Sequence, residues 1–183
     1  MTGTDIVIRT HCPGQVPAML DTLADIWSDA HPELVNTPKA FADGLSASAL
    51  RRQITHHLRH EGFILAAAYA SGFMVGFGYA FPCTPEYWYG ELLPEIPEPV
   101  RAGRLMGLCE LAVTPAHQSR GIASRLHAEL LKAVTPDYAS LLVSPDNTVG
   151  RTVYERLGYT YAGPYRNEPG GPVYDLLLLR VDT

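Results

Sequence analysis

Apolar residues recur along this chain at two periods. Val16, Leu20, Leu23 and Trp27 keep helical spacing and predict an amphipathic helix, ended by His31-Pro32 because a residue before proline leaves the helical region. Phe41, Leu45, Leu50, Ile54 and Leu58 predict a second helical stretch over Pro38–His60, with a break at Gly44–Ser48. Ile122, Leu126, Leu130 and Val134 repeat every four residues and predict a third. Val149, Val153 and Leu157 predict a short helix, opened by Asp146 or Asn147 and closed by Gly158. Between these lie short apolar runs that predict strands: Ile6–Arg9, Gly107–Val113, Ala139–Ser144, Tyr159–Ala162 and Val173–Leu179, with a polar loop over Tyr165–Pro172. Strands alternating with helices imply an α/β mixed sheet in one domain over 1–183. No internal repeat or dividing linker interrupts it.

One stretch has two readings. Gly62–Pro82 carries no charge and approaches the ~20 residues that cross a bilayer. It even holds the Gly72-x-x-x-Gly76 spacing of packed membrane helices. Ser71-Gly72 at its centre is a two-residue turn signal, and each half has strand length. The aromatic-rich second half suits a strand, and no basic flank anchors a span. The expectation is a buried hairpin and no membrane partner.

Residues 82–105 differ in character. Prolines and acids crowd them, Tyr87, Trp88 and Tyr89 adjoin, and the segment reads as a long loop or lid-like insertion.

Composition narrows the classes. The 183 residues are 46% hydrophobic and 18% charged, which excludes a disordered chain or a coiled coil. A net charge of -5 repels phosphate backbones, so no nucleic-acid partner is expected. Cys12, Cys83 and Cys109 are odd in number and widely spaced, and no secretory h-region opens the chain. These features suit a reduced, cytoplasmic protein.

The chemistry concentrates in Leu111–Ser124, LAVTPAHQSRGIAS. A strand ends at Val113 and a helix follows a short loop. The first N–H groups of that helix have no internal partner, and its dipole adds positive character. Gly121 lets main chain approach a ligand, and Ala123 is small. The product is a main-chain pyrophosphate cradle, with Arg120 at its edge. Neither G-x-x-x-x-G-K-[ST] nor G-x-G-x-x-G occurs, so a nucleoside-triphosphate or dinucleotide site is not expected.

Gln118-x-x-Gly121-x-Ala123 resembles the [Q/R]-x-x-G-x-[G/A] acyl-CoA motif of the GNAT (Gcn5-related) N-acetyltransferase superfamily. Asn147, Gly150, Tyr154 and Gly158-Tyr159 resemble the second half of that family's pattern, and the element order fits from Ile6 to Leu179. The resemblance implies the GNAT acyltransferase fold, a mixed, mostly antiparallel sheet flanked by helices. It implies acetyl-CoA as cosubstrate, no metal, and direct transfer to a primary amine in a ternary complex. Main-chain groups of Leu111, Ala112 and Val113 would hold the pantetheine arm and polarise the thioester. Gln118, Ser119, Arg120, Gly121, Ile122, Ala123 and Ser124 would hold the pyrophosphate, and Asn147 would touch the pantetheine region. Tyr154 would protonate the leaving thiolate.

The amine needs a base, because its protonated form near pKa 10 cannot attack. Glu110 sits inside an apolar run, where a carboxylate is costly unless paired or raised in pKa. It is the candidate base, against the alternative of an arginine partner or a solvent-facing charge. His56, His57 and His60 offer an i, i+4 pair without a third ligand or the H-E-x-x-H glutamate, and read as a solvated helix face. His117 and His127 flank the cradle, and His117 is the better candidate for a ligand contact. Trp27, His31, Glu86, Tyr87 and Trp88 are candidate acceptor-binding residues by position and type. A small-molecule amine is the expected acceptor. A protein or peptide N-terminal amine, a longer acyl donor, or a non-catalytic acyl-CoA-binding module are the alternatives. An exposed C-terminal strand would suit a homodimer.

Overall fold

A computed structural model describes residues 5–35, 37–38, 44–88 and 96–182. In chain order the elements are β1 (Ile6–His11), α1 (Leu20–Ala30), α2 (Ala47–His57), β2 (Ile64–Ala70), β3 (Phe73–Cys83), α3 (Pro85–Trp88), α4 (Glu98–Ala102), β4 (Leu105–Val113), α5 (Ile122–Val134), β5 (Tyr138–Val143), α6 (Thr148–Arg156), β6 (Thr160–Arg166) and β7 (Val173–Arg180). The seven strands form one mixed sheet in the order β1-β2-β3-β4-β5-β7-β6. Contacts divide the chain into two compact units, 1–80 with 110–133 and 81–109 with 134–183.

In the first unit the charge-free stretch is a hairpin. Ser71 and Gly72 both have positive φ, 50° and 85°, as the tight turn requires. The antiparallel β2–β3 pair buries Leu65, Phe77 and Tyr79. Among the described residues no helix is long and apolar enough to cross a membrane. Pro13–Met19, the lead-in to α1, is a 3-10 helix rather than α-helix, with Pro17 inside it to remove an N–H donor. α1 buries Leu23, Ala24, Ile26 and Trp27. Ser46 caps α2 by accepting the Ala49 N–H at 3.0 Å, and Leu50 and Ile54 form its buried stripe. Phe41, the first residue of the expected stripe, lies outside the described residues.

β3 and β4 run antiparallel. Thr114 donates its N–H to Val75 O at 2.9 Å, and a Cβ on Gly76 or Gly78 would come within 3.0 Å of the carbonyl oxygens of Ala112 and Glu110. Side chains of Leu111 and Val113 occupy the room these two glycines leave, so bulk at either glycine must displace main chain.

In the second unit, β4 pairs in parallel with β5 at Leu105–Gly107 against Tyr138–Ser140. Arg104 fixes that start: its N–H and guanidinium both donate to the Asp137 carboxylate, which these bonds hold well below the usual carboxylate range. Among the described residues the pairing goes no further, although β4 continues to Val113 and β5 to Val143. β7 lies antiparallel to both β5 and β6. β6 extends to Arg166, past the start of the expected loop, with a bulge between Tyr161 and Gly163. The lid-like stretch is not loop throughout. It holds α3 and α4, and Val100 of α4 is buried with Leu105, Tyr165 and Leu176. Tyr89 and its neighbours to residue 95 lie outside the described residues. None of the three cysteines is in a disulfide.

Two histidines give the fold a pH dependence. Burial holds His127 down at about 4. Burial, and then the neighbouring His60 and His56, hold His57 at about 4 as well. A lowered folded pKa stabilises fully above the unfolded value near 6.5 and loses that contribution as pH falls toward 4. Thermal unfolding should therefore show stability falling between pH 6.5 and 4, by at most about 3 kcal/mol per histidine. His127→Leu should flatten the curve, and an unchanged slope would refute the assignment.

Candidate active site

Glu110, on β4, is the centre of a group that α1, α2 and β3 of the first unit complete. Strand neighbours alternate, so Glu110, Ala112 and Thr114 turn their main chain to β3, while Leu111 and Val113 turn theirs away. The register sets Glu110 beside Tyr79 on one face of the sheet. Gln53 of α2 donates its amide N–H groups to both, to Glu110 Oε1 at 3.0 Å and to Tyr79 Oη at 2.9 Å. Tyr79 Oη also meets His57 Nδ1 at 3.0 Å. Trp27, from α1, hydrogen-bonds Glu110 through its side chain, and His31 faces the carboxylate electrostatically. Burial pushes the Glu110 carboxyl up from the usual range; His31, Gln53 and Trp27 pull it part of the way back. A carboxylate so placed is a stronger base than one in water.

His31 is held at the end of α1. Its Nδ1 lies 2.9 Å from Trp27 O, a carbonyl that only accepts, so Nδ1 carries a proton and donates it there. The rings of Trp27 and His31 lie 5.3 Å apart. The structure thus groups two of the expected acceptor residues, Trp27 and His31, with the expected base.

Glu86 and Tyr87 find their described partners in the second unit. Glu86 pairs with Arg101 at 3.6 Å, and both are exposed. Tyr87 lies edge-on to Phe81, its carbonyl accepts from Tyr165 Oη at 3.2 Å, and burial raises its hydroxyl pKa. Trp88 ends α3, and its side chain lies outside the described residues.

The cradle follows β4 in the first unit. Gln118 folds back and donates from Nε2 to Val113 O at 2.9 Å. Ser119 and Gly121 both have positive φ, 59° and 72°, which turns the main chain sharply before α5. Arg125 N–H bonds to Gly121 O as the helix begins, so the amides of Ile122, Ala123 and Ser124 precede any intrahelical acceptor. No acidic side chain stands in that first turn. A Cβ on Gly121 would meet nothing within 4 Å, so the space above the loop is open. Ser119, Arg120 and Ser124 are exposed, and Ile122 is buried against the core. These features fit an anionic ligand held by main chain. Of the three strand-end residues, Ala112 departs from expectation: its main-chain groups face β3, as strand alternation demands. His117, the flanking candidate for a ligand contact, meets Thr114 Oγ1 through Nδ1 at 3.1 Å, and that hydroxyl also bonds Val75 O.

In the second unit Asn147 caps α6. Its Oδ1 accepts the Gly150 N–H at 2.8 Å, and a Cβ on Gly150 would sit 2.7 Å from Asn147 Nδ2, so a larger residue there would make the capping side chain shift. Tyr154, half-buried on α6, lies edge-on to Tyr159 with ring centroids 6.0 Å apart. Tyr159 is buried, and burial followed by Tyr154 raises its pKa, so it stays protonated.

The histidine trio is a solvated face only in part: His56 is exposed, whereas His57 and His60 are half-buried. His57 bonds to Tyr79, and its ring lies 5.7 Å from His60 and 5.8 Å from His56. Among the described residues no group of three ligating side chains is arranged to hold a metal. Gln53 and Tyr79 were not among the expected site residues. Gln53 stands four residues before His57 on α2, so they share a helix face, a signal visible in the sequence.

The family model for the acetyltransferase (GNAT) family matches residues 20–159, which include both the cradle and Tyr154. The chain belongs to the GNAT acetyltransferase family. A GNAT-family acetyltransferase from Desulfovibrio desulfuricans is similar in structure, with 17% identity over 97% of this chain and 100% of the other at a TM-score of 0.68. An aminoglycoside N-acetyltransferase bound to CoA shares 18% identity over 91% of this chain and 95% of its own, at 0.61. The ribosomal-protein-S18-alanine N-acetyltransferase of Escherichia coli shares 17% identity over 98% and 96%, at 0.60. Identity this low speaks for the shared GNAT fold. A search of curated protein sequences gives no match.

Proposed function

We propose that this GNAT acetyltransferase is an acetyl-CoA-dependent N-acetyltransferase that acts on a primary amine of a small molecule, by direct transfer in a ternary complex, with residues 1–183 working as one catalytic domain. The observation that carries this reading is the grouping of a raised-pKa carboxylate, Glu110, with Trp27 and His31. An anionic base beside aromatic rings suits a cationic amine.

Acetyl-CoA, when bound, supplies an activated acetyl thioester. The amides of Ile122, Ala123 and Ser124, with the Gln118–Gly121 loop, hold its pyrophosphate, and Arg120 adds charge at the edge. Leu111 and Val113, turned away from β3, offer main-chain N–H groups to the pantetheine arm and to the oxygen that gains charge. Gln118 occupies the Val113 carbonyl and so orients that strand end. Asn147 is committed to its cap through Oδ1, so what it offers the arm is Nδ2. Glu110 takes the proton from the ammonium before attack, and the Tyr154 hydroxyl gives a proton to the departing sulfur.

The first test is acetyl-CoA consumption against a panel of amines, with products read by mass spectrometry. An N-acetylated small molecule establishes the reaction. Acetylation confined to peptide N-termini would favour the protein-directed reading, since a relative of this fold is named for a ribosomal-protein alanine. CoA binding without turnover on any amine would favour a binding module. Tyr154→Phe should lower turnover at least ~10-fold while acetyl-CoA affinity changes little. Equal turnover would remove Tyr154 from the mechanism.

A further inference from the structure

The contacts around Glu110 extend two residues beyond the carboxylate. Gln53 Nε2 bridges Glu110 Oε1 and Tyr79 Oη, and Tyr79 Oη reaches His57 Nδ1. An ionised carboxylate only accepts, so the NH2 end of Gln53, not its oxygen, must face Glu110. One N–H goes to each partner. Tyr79 is fully buried, and a buried hydroxyl needs bonds of its own. It accepts from Gln53 and turns its proton to His57 Nδ1, which has a lone pair there while the ring is neutral. Phe63 stacks on Tyr79 at 5.3 Å and fixes the ring. The bonds therefore diverge from Gln53: one ends on a carboxylate that can only accept, the other passes through Tyr79 to His57.

We propose that Gln53 is a positioning residue for the acetyl-transfer reaction: anchored by Tyr79 and His57, it orients Glu110 as the base and holds it in its accepting form. This rests on the reading of Glu110 as the base. An amide passes no proton readily, so the chain holds Glu110 and does not drain it; the proton leaves toward the acceptor side. The groups facing Glu110 are Gln53 from α2, Tyr79 from β3, and Trp27 and His31 from α1 and its end. His56 and His60 stand behind His57.

The test titrates Glu110 directly, in protein labelled with [13Cδ]glutamate, by NMR without any acceptor. Glu110→Gln identifies the resonance by its loss. Gln53→Leu removes a donor to the charged form, so the Glu110 midpoint should rise by about one pH unit. Tyr79→Phe leaves Gln53 with one anchor and should raise it by less. A merely structural role for Gln53 would leave the midpoint where it is. Unchanged midpoints in both variants, with wild-type melting and CoA affinity, would overturn the proposal. If Gln53→Leu fails to fold, the Tyr79→Phe midpoint decides alone. A shifted midpoint together with full turnover by Glu110→Gln would instead refute Glu110 as the base while leaving the clamp intact, so the two failures are distinguishable.

Discussion

Glu110→Gln is expected to lower turnover at least ~100-fold, the low end of what a positioned general base contributes. The glutamine keeps the shape and an oxygen that can accept from Gln53, while the charge and basicity go. Burial raises the Glu110 pKa in the folded state. A carboxyl raised in this way adds stability below its unfolded pKa and loses that contribution as pH rises through the folded value. Above the folded value the ionised Glu110 is thus a burden on the fold, and Glu110→Gln should melt no lower than wild type there. The wild-type kcat/KM should fall on acidification through the raised pKa, and that limb should vanish in the variant. Steady-state kinetics across pH, paired with thermal melting, checks all three points. Wild-type turnover in Glu110→Gln would move the base elsewhere, with His31 the next to examine.

Gly121→Val is expected to weaken acetyl-CoA binding at least ~100-fold, since it removes close main-chain approach to the phosphates. Gly121 has φ +72°, where a β-branched residue is strained by about 1–2 kcal/mol. Nothing in the protein lies within 4 Å of the added Cβ, so no internal clash adds to that strain. Gly170 is a matched control: its φ is +79° and its Cβ would also meet nothing within 4 Å. Gly170→Val should pay similar backbone strain and keep its affinity. Calorimetric titration with CoA on both variants separates strain from obstruction. Equal affinity for Gly121→Val and wild type would refute the cradle.

Most of the elements were legible because their causes are local. Ser71-Gly72 turns the hairpin through its own positive φ angles, and Asn147 and Ser46 cap helices through bonds to residues three positions on. The strand–loop–helix segment over 111–124 was legible for the same reason: strand end, loop and helix start are contiguous. Errors came where neighbours in space overrode neighbours in sequence. The histidine run looked solvated because nothing in residues 56–60 reveals that Tyr79 lies over His57. The stretch from 82 to 105 looked unstructured because proline density hid α4, whose Val100 is buried with Leu105, Tyr165 and Leu176.

By itself the sequence determined most of the elements, the hairpin and the motifs of the GNAT family, since each depends on residues a few positions apart. Only the tertiary structure decided which residues surround Glu110. Gln53 is 57 residues from it in sequence, and Tyr79 is 26 from Gln53. No spacing rule links positions so distant; the β3–β4 register and the seating of α2 bring them together. The same register turned Ala112 toward β3 and left Leu111 and Val113 facing away, because adjacent residues of a strand point their hydrogen-bonding groups to opposite sides.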